Sequence, residues 1–267
     1  MLANKIAVIT GAGRGIGRAT AEVFARNGAA LVLVDLDPAA LAETEQSVKA
    51  MGVEAYPLVG DITKGSFPGE LDTLIEDTVK RVDILINNAG FAADAVIHKM
   101  SEEQWENMLE IHLTVPFRLI KSICAKYMRD PAKDDIARGH RPPSRKIVNV
   151  SSIAGIMGNP GQISYAAAKA GVLGLTKTVA REWGRFNINV NAVAFGAIET
   201  RMTGELSIEN GRQLGMPKKA REALVEQTPL GRMGTPGDAA NAILFLSSPL
   251  SDFVSGHTLI VSGGWYM

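Results

Sequence analysis

Short apolar runs rich in valine and isoleucine alternate along the chain with longer amphipathic segments. A short run that is apolar at every position suits a strand of a parallel sheet covered by helices on both faces. The longer segments have the hydrophobic period of the covering helices. The pattern therefore predicts an α/β fold, a doubly wound parallel sheet of about seven strands with helices on both faces. The predicted strands are Lys5–Thr10, Ala30–Asp35, Val53–Leu58, Asp83–Asn87, Lys146–Ser151, Asn187–Val193 and Thr258–Val261.

Capping residues mark where two of the helices begin or end. Asp37 is followed by a proline, and Gly52 stands further on, so the two residues bracket one helix. Ser101–Gln104 forms a capping box that opens a helix running toward Met128, which Pro116 is expected to break or kink. Further helices are predicted over Arg18–Asn27, Ser164–Gly184 and Ala239–Ser247.

Two segments depart from this alternation. Residues Arg129–Arg145 are polar and contain several prolines, which predicts an exposed surface loop inserted before the fifth strand. Residues Gly196–Gly234 form a long mixed segment after a strand's carboxyl end, which makes them a candidate substrate lid. Because the composition does not shift along the chain, we expect a single domain over residues 1–267.

Composition and charge narrow the classes of partner. The 28 basic and 28 acidic residues give a formal net charge of zero, so neither nucleic acid nor an anionic membrane is expected as a partner. The single cysteine, Cys124, cannot form an internal disulfide. Together with the lack of a signal peptide and of a membrane-spanning apolar run, this predicts a cytoplasmic protein. The four histidines are scattered, so no metal site is predicted.

A glycine-rich turn lies between the first strand and the first helix. Glycine permits positive φ and a close approach of the backbone to a ligand, and a helix N-terminus attracts a pyrophosphate. The turn is therefore a candidate dinucleotide site, although its glycine spacing differs from the usual fingerprint. The alternative is a tight turn with no ligand. The candidate residues are Gly11, Arg14, Gly15, Ile16 and Gly17.

An acid at the end of the second strand indicates which dinucleotide binds. A carboxylate at Asp35 would accept hydrogen bonds from the adenosine ribose and repel a 2′-phosphate, so NAD is expected rather than NADP. Arg14 favours the opposite choice, because a guanidinium in the glycine turn could assist a phosphate. Asp35 could also be a solvated acid at a strand end. After the third strand, Asp61 and its neighbour Ile62 are placed to meet the adenine, or Asp61 shapes a turn.

A tyrosine and a lysine supply candidate acid–base chemistry. Tyr165 and Lys169 are four residues apart in one predicted helix, so their side chains share a face. A nearby ammonium favours the phenolate, and lowering a phenol pKa from about 10 to about 7 takes about 4 kcal/mol. Ser152 follows the fifth strand, at the edge where ligands bind, and its hydroxyl can hold a substrate oxygen. The tyrosine–lysine spacing alone also occurs on ordinary helix surfaces.

Four motifs together resemble the short-chain dehydrogenase/reductase family, and the likeness runs almost from end to end. They are TGAGRGIG at 10–17, NNAG at 87–90, NVSS at 149–152 and the Tyr165-x-x-x-Lys169 pair. Within the family, the segments around Tyr165 and near the C-terminus look most like the 3-oxoacyl-thioester reductase branch. The resemblance implies a Rossmann-type fold, a homotetramer or homodimer, and hydride transfer between nicotinamide and a carbonyl or alcohol.

The resemblance also implies a role for each candidate residue. Tyr165 would act as acid or base and Ser152 would orient the substrate. Lys169 would bind the nicotinamide ribose and lower the pKa of the phenol. The cofactor cleft would be lined by Asn88 and Gly90, with Ile198 and Thr200 at its nicotinamide end.

Three positions depart from the family pattern, and the one near the C-terminus is Ser262 in place of the usual aspartate. His112 stands where the family has a helix asparagine that supports a kink and a water-mediated proton relay. Histidine could serve in that relay, as a fourth catalytic residue, or could be a packed polar side chain. Phe195 replaces the proline that usually follows the sixth strand.

These observations predict an NAD(H)-dependent oxidoreductase acting on a secondary alcohol or ketone. By resemblance, the first substrate class is a 3-oxoacyl or 3-hydroxyacyl thioester, carried on an acyl-carrier protein or coenzyme A. A polyol, sugar or steroid alcohol is the alternative for an enzyme. A dinucleotide-binding scaffold or redox sensor that has lost turnover is the alternative from another class.

Overall fold

A parallel sheet of seven strands forms the centre of the protein in a computed structural model that describes residues 1–209 and 212–267. The strands of this sheet are β1 (Ile6–Thr10), β2 (Ala30–Asp35), β3 (Ala55–Val59), β4 (Ile84–Asn87), β5 (Arg145–Ser152), β6 (Ile188–Phe195) and β9 (Thr258–Val261). Two shorter strands, β7 (Ser207–Glu209) and β8 (Arg212–Leu214), lie outside it. The sheet order is β3-β2-β1-β4-β5-β6-β9, and β7 pairs with β8 in a separate antiparallel hairpin. The predicted fold class is confirmed. The seven predicted strands end within one or two residues of the observed bounds.

Helices cover both faces of the sheet. They are α1 (Gly15–Arg26), α2 (Pro38–Lys49), α3 (Phe67–Asp77), α4 (Glu102–Leu109), α5 (Val115–Leu119), α6 (Asp130–Ala137), α7 (Ala154–Met157), α8 (Ile163–Trp183), α9 (Lys218–Glu226) and α10 (Pro236–Ser247). Alternate residues of β1 enter different clusters of buried side chains, with Ala7 and Ile9 in one and Ile6 and Val8 in the other. Both faces of the strand are therefore buried, which explains why it is apolar at every position.

The predicted caps are present at two helix starts. The Asp37 carboxylate accepts from the backbone N–H groups of Ala39 (3.0 Å) and Ala40 (3.1 Å) at the start of α2. At α4, the Ser101 hydroxyl accepts from the Gln104 N–H (3.1 Å), and the Gln104 side chain accepts from the Ser101 N–H (3.0 Å). Each cap satisfies N–H groups that the first turn of a helix leaves without an internal partner.

The helix that begins at α4 continues through Pro116 instead of breaking there. A π-helical turn, Glu110–Thr114, joins α4 to α5 just before the proline. Proline has no N–H to donate to the carbonyl four residues earlier, which here belongs to His112, and a widened turn accommodates that loss. The turn places His112 on the buried side of the helix.

The prediction of a loop over Arg129–Arg145 is wrong for its first half. A π-helical segment, Ile120–Arg129, leads directly into α6, which ends at Ala137. Most side chains of α6 face solvent, while Ala132 is buried against the core. Composition suggested a loop because a helix that packs by one small residue is polar almost all round.

The segment between β6 and α10 is fastened at its two ends. The Glu199 N–H donates to the Gly234 carbonyl (2.8 Å), and the Gly234 N–H donates to the Ala197 carbonyl (2.9 Å). Between these bonds lie α9 and the β7–β8 hairpin, which the sequence did not predict. The lid role of residues 196–234 and the single domain over residues 1–267 stay predictions.

Over the part of the chain that the structure describes, no helix is long and apolar enough to cross a membrane. Within those same residues, no three His, Cys, Asp or Glu side chains lie close enough together to hold a metal ion. The expectations about membranes and metals still rest on the sequence.

Substituting Gly17 with alanine should destabilise the fold. A Cβ on this glycine of α1 would lie 1.9 Å from the carbonyl oxygen of Gly11, so backbone must shift. We expect urea unfolding to show a loss of about 1–3 kcal/mol or more, the usual cost of overpacking. Gly69→Ala in α3 is the control, because a Cβ there meets nothing within 4 Å. Equal stabilities for the two variants would contradict the close packing of the turn.

Candidate active site

The candidate residues meet at the carboxyl edge of the sheet, beside the point where the strand order reverses. β1 pairs with β2 on one side and with β4 on the other. In open α/β sheets the crevice at such a switch point is where ligands bind. The glycine turn follows β1, Asn88 and Gly90 follow β4, and Ser152 is the last residue of β5.

The glycine turn packs tightly against the loop that follows β4. Gly11 has φ +65°, and a Cβ on it would lie 2.8 Å from the Cα of Ala89. The Asn88 amide donates to the carbonyl oxygens of Thr10 (2.9 Å) and Gly11 (3.2 Å). Glycine is therefore required at this point, both for the left-handed backbone and for the close approach of the two segments.

The same turn fits an anion at the start of α1. The helix begins at Gly15, and the residue before it, Arg14, makes no side-chain cap to the first turn, because a guanidinium cannot accept a hydrogen bond; it donates to Asp37 instead. The first-turn N–H groups need water or a ligand as partners, and a pyrophosphate is suited to that position. A Cβ on Gly15 would lie 3.5 Å from Cγ2 of Thr200, so the segment after β6 faces the turn. Ile16 and Ile198 pack on the core cluster nearby.

Asp35 and Asp61 both accept hydrogen bonds from neighbouring turns. Asp35 Oδ2 accepts from the Gly13 N–H (2.8 Å), and Oδ1 accepts a further N–H from the turn after β2 (3.0 Å). Asp61 accepts from the hydroxyl (2.7 Å) and N–H (3.0 Å) of Thr63, which lowers the pKa of its carboxyl. The turn role of Asp61 is thus present in the structure. Contacts of Asp61 and the buried Ile62 with adenine stay predictions.

Tyr165, Lys169 and Ser152 lie together beside this cleft. On α8, Lys169 Nζ lies 5.6 Å from the centroid of the Tyr165 ring and donates to the Val150 carbonyl (2.7 Å). The Ser152 hydroxyl lowers the pKa of Tyr165; it donates to the Phe195 carbonyl (3.4 Å) and accepts from the Ala154 N–H (3.1 Å). The structure brings the three predicted residues together, and their catalytic roles stay predictions.

Burial shifts the tyrosine and the lysine in opposite directions. Part of Tyr165 still meets solvent, but burial raises the pKa of its hydroxyl to about 12, outweighing the lowering effect of the Ser152 hydroxyl. Burial also lowers the pKa of Lys169 to about 7, so the amine is only partly charged at neutral pH. The protein's own groups therefore keep the phenol protonated, and Lys169 is not among the groups that shift the pKa of Tyr165.

His112 is buried between Tyr165 and the loop after β4. Its Nε2 lies 2.7 Å from the Phe91 carbonyl, which only accepts, so Nε2 carries the proton. Among the described residues Nδ1 has no hydrogen-bond partner. The ring meets Tyr165 edge to face at 5.0 Å, and a Cβ on Gly90 would lie 2.1 Å from its Cε1. Burial, and next the charge of Lys169, lower the pKa of His112 well below 6.5, so the ring is neutral.

Asp94 is a site residue that sequence reasoning missed. It lies in the loop after β4, and its Oδ2 accepts from the Gln162 side chain (2.9 Å) just before α8. The Ala95 N–H donates to the Gly161 carbonyl (2.8 Å), which joins the same two loops. Burial raises the pKa of Asp94, and its charge raises that of Tyr165. A lone acid in a polar loop carries no motif, so only the fold could place it near the phenol.

Comparison with known proteins gives the family. A short-chain dehydrogenase family model, described as enoyl-(acyl carrier protein) reductase, matches residues 11–266. The chain belongs to the short-chain dehydrogenase/reductase family. It is thus an oxidoreductase, and the family uses a nicotinamide cofactor.

Relatives in this family cover nearly the whole chain. The 3-oxoacyl-(acyl-carrier-protein) reductase FabG of Thermotoga maritima is 37% identical over 98% of both chains. That of Vibrio cholerae is 38% identical over 100% of this chain and 99% of its own. Among solved structures, a candidate short-chain alcohol dehydrogenase from Sinorhizobium meliloti has TM-score 0.86 and 28% identity, over 99% of this chain and 97% of that one. A candidate gluconate dehydrogenase from Agrobacterium tumefaciens has TM-score 0.85 and 30% identity, over 99% and 96%.

Replacing His112 with asparagine should reduce the loss of stability in acid. The unfolded chain takes up a proton near pH 6.5, whereas the folded protein keeps His112 neutral at a lower pKa. Below pH 6.5 the unfolded state binds more protons than the folded state. The free energy of unfolding therefore falls by up to about 1.4 kcal/mol for each unit by which the pH is lowered.

Urea unfolding at pH 7.5 and 5.5 measures this difference. We expect the decrease to be smaller in His112→Asn than in the wild type, and unchanged in His140→Asn, which alters an exposed histidine. An equal decrease in the His112 variant and the wild type would show that His112 is not held neutral.

Proposed function

We propose that the protein transfers a hydride between NAD(H) and the keto or hydroxyl carbon of a 3-oxoacyl or 3-hydroxyacyl thioester. The observation that carries the proposal is the convergence of Ser152, Tyr165 and Lys169 at the carboxyl edge of the sheet. The names of the FabG relatives support the thioester class. An acyl-carrier protein or coenzyme A would carry the substrate.

In the reducing direction, the hydroxyls of Ser152 and Tyr165 would hold the carbonyl oxygen between them. When bound, the nicotinamide supplies the hydride to the carbonyl carbon. Tyr165 gives its proton to the oxygen and is left as the phenolate; the π bond of the C=O group is replaced by a new C–H and a new O–H bond, and the C–O single bond remains. Because burial keeps the phenol protonated, Tyr165 is ready to donate at neutral pH. In the oxidising direction Tyr165 first has to give up its own proton, and its phenolate then takes the proton of the substrate hydroxyl.

Lys169 and His112 are proposed to return the proton to Tyr165. With a pKa of about 7, Lys169 can both give and take a proton near neutral pH. The unprotonated Nδ1 of His112 can accept a hydrogen bond from water, the step that the family assigns to its asparagine. The alternative for His112 is packing alone, through its contacts with Tyr165 and Gly90.

The segment Gly196–Gly234 is proposed to close over the substrate. Its two ends are hydrogen-bonded to each other at Ala197 and Gly234, so the residues between them can move as a unit relative to this fixed point. Thr200, near the start of the segment, lies across from Gly15, which links the segment to the cofactor end of the cleft.

A second substrate class is a polyol, sugar or steroid alcohol. The structural likeness to a candidate gluconate dehydrogenase favours a sugar derivative within that class. From another class, a scaffold or redox sensor without turnover would bind the dinucleotide and leave every substrate unchanged. The presence of Ser152, Tyr165 and Lys169 in one cluster supports an enzyme instead.

The chain is further proposed to act as a cytoplasmic homodimer or homotetramer. Three large apolar side chains on α4, α5 and α8 are exposed, at Trp105, Phe117 and Ile163. Exposed apolar groups of this size on neighbouring helices are typical of a subunit contact.

Substituting Tyr165 with phenylalanine should remove turnover and retain the fold. The change deletes one hydroxyl and keeps the ring that contacts His112. With acetoacetyl-coenzyme A and NADH we expect kcat to fall by roughly a hundredfold to ten-thousandfold, the usual contribution of an acid–base group. Tyr56→Phe is the control, because its hydroxyl bonds Glu54 on the edge of the sheet.

Two outcomes would contradict this assignment. Full turnover by Tyr165→Phe would remove the tyrosine from the chemistry. Binding of NADH by the wild type without turnover of any thioester or secondary alcohol would favour the scaffold.

Steady-state kinetics should show a lower KM for NAD than for NADP. Because Asp35 also accepts from the Gly13 and Asp37 N–H groups, Asp35→Asn is the suitable variant, since its amide oxygen can still accept one of these two bonds. Losing a hydrogen bond to a charged acceptor should raise the KM for NAD by roughly tenfold to a hundredfold. Asp61→Asn serves as the comparison. A wild-type preference for NADP would refute the role of the acid.

A further inference from the structure

An ion pair joins the glycine turn to the turn after β2. Nη2 of Arg14 lies 2.7 Å from Oδ2 of Asp37, and both side chains are about half exposed. The backbone N–H of Asp37 donates to Oδ1 of Asp35 (3.0 Å), and Oδ2 of Asp35 accepts from the Gly13 N–H (2.8 Å). Two carboxylates and one guanidinium thus form one connected network at the proposed adenosine end of the cleft.

Asp37 is held in place by its own helix. Its Oδ1 accepts from the N–H groups of Ala39 and Ala40 at the start of α2, and the other oxygen is directed to Arg14. The bond from Arg14, followed by the bonds from the helix, lowers the pKa of the Asp37 carboxyl. The acid is therefore ionised at neutral pH, and its position does not depend on Arg14.

Capping alone does not explain an acid at this position. Serine and asparagine cap a helix about as well as aspartate, and neither carries a charge. What aspartate adds is a negative charge beside Arg14. Arginine is the residue that binds phosphate best, through its planar fork of N–H donors.

We propose that Asp37 is a second determinant of cofactor choice, because it neutralises Arg14 and so prevents the glycine turn from binding a 2′-phosphate. A 2′-phosphate would meet the negative charges of Asp35 and Asp37 and the single positive charge of Arg14. Their sum is one negative charge. Removing either acid makes the sum zero, and removing both leaves one positive charge. This inference rests on the proposed role of Asp35 at the adenosine ribose and extends it to a residue two positions on.

The experiment is a double-mutant cycle read by isothermal titration calorimetry with NADP and NAD. Asp37→Asn keeps a helix cap and removes the charge. We expect it to shift the ratio of the two Kd values toward NADP by about fivefold to tenfold, the scale of one exposed phosphate–arginine contact. Arg14→Met should change that ratio little in the wild-type background and abolish the gain in the Asp37→Asn background. Asp35→Asn with Asp37→Asn should favour NADP more than either single change.

A matched control lies on the same two helices. Glu43 of α2 pairs with Arg18 of α1 at 3.0 Å, so Glu43→Gln removes an acid from a similar pair that lies outside the glycine turn. It should leave the ratio unchanged. A second readout is salt dependence, because an exposed phosphate–guanidinium contact is screened by salt. NADP binding by Asp37→Asn should weaken more steeply with added NaCl than NADP binding by the wild type.

Two outcomes would overturn the proposal. One is an unchanged NADP to NAD ratio in Asp37→Asn, and the other is a gain that survives Arg14→Met. Both are separate from failure of the proposed function. Calorimetry needs no turnover, so it gives the coupling even for an inactive protein. A wild type that prefers NADP would refute the role of Asp35, while the cycle would still report whether Asp37 neutralises Arg14.

Discussion

The close contact between the turn after β1 and the loop after β4 is the constraint on which the site depends. β1 and β4 are parallel neighbours that are far apart in the chain. Side-chain hydrogen bonds join the segments that follow them. The Thr10 hydroxyl accepts from the N–H groups of Asn88 (3.0 Å) and Ala89 (3.1 Å) and donates to the Ile86 carbonyl (3.2 Å). This buried hydroxyl and the Asn88 amide therefore hold the two segments together, and glycine is needed where they touch. The cleft beside them follows from the strand order itself.

Burial without a carboxylate partner sets the electrostatics of the catalytic end. Lys169 bonds a backbone carbonyl, and His112 bonds another, so each side chain is positioned without being stabilised in its charged form. Desolvation then favours the neutral forms of Tyr165, Lys169 and His112 alike. Burial drives the proton affinities of the two groups apart, because an ordinary amine and phenol have similar pKa values, whereas the pKa is about 7 for Lys169 and about 12 for Tyr165. A proton therefore passes readily from the Lys169 ammonium to a Tyr165 phenolate, whereas transfer in the reverse direction is costly.

The sequence predicted the features that follow from local rules and missed those that depend on packing. Short runs rich in valine and isoleucine are typical of strands in a parallel sheet covered by helices, so β1 to β6 and β9 could be predicted within a residue or two. Caps and the glycine turn use particular residue types at fixed offsets and were found for that reason. The helical start of Arg129–Arg145 was missed because only Ala132 faces the core. Asp94 was missed because its distance to Tyr165 is set by two separate loops. The raised pKa of Tyr165 was missed because spacing indicates which charges are near and does not indicate how deeply a group is buried.

The turn after β2 shows how a fold requirement and a binding preference can be met by one residue. A rule that considers only the acid at the strand end assigns the choice between NAD and NADP to Asp35. Charges also act through space, and Asp37 lies on the same turn. Its cap on α2 fixes the carboxylate, and that fixed position makes the pairing with Arg14 dependable even though an exposed ion pair contributes little to stability. The small stability contribution is the reason why the pair matters for selectivity. An exposed guanidinium can still be reached by a phosphate once its neighbour's charge is removed, whereas a buried guanidinium could not be reached.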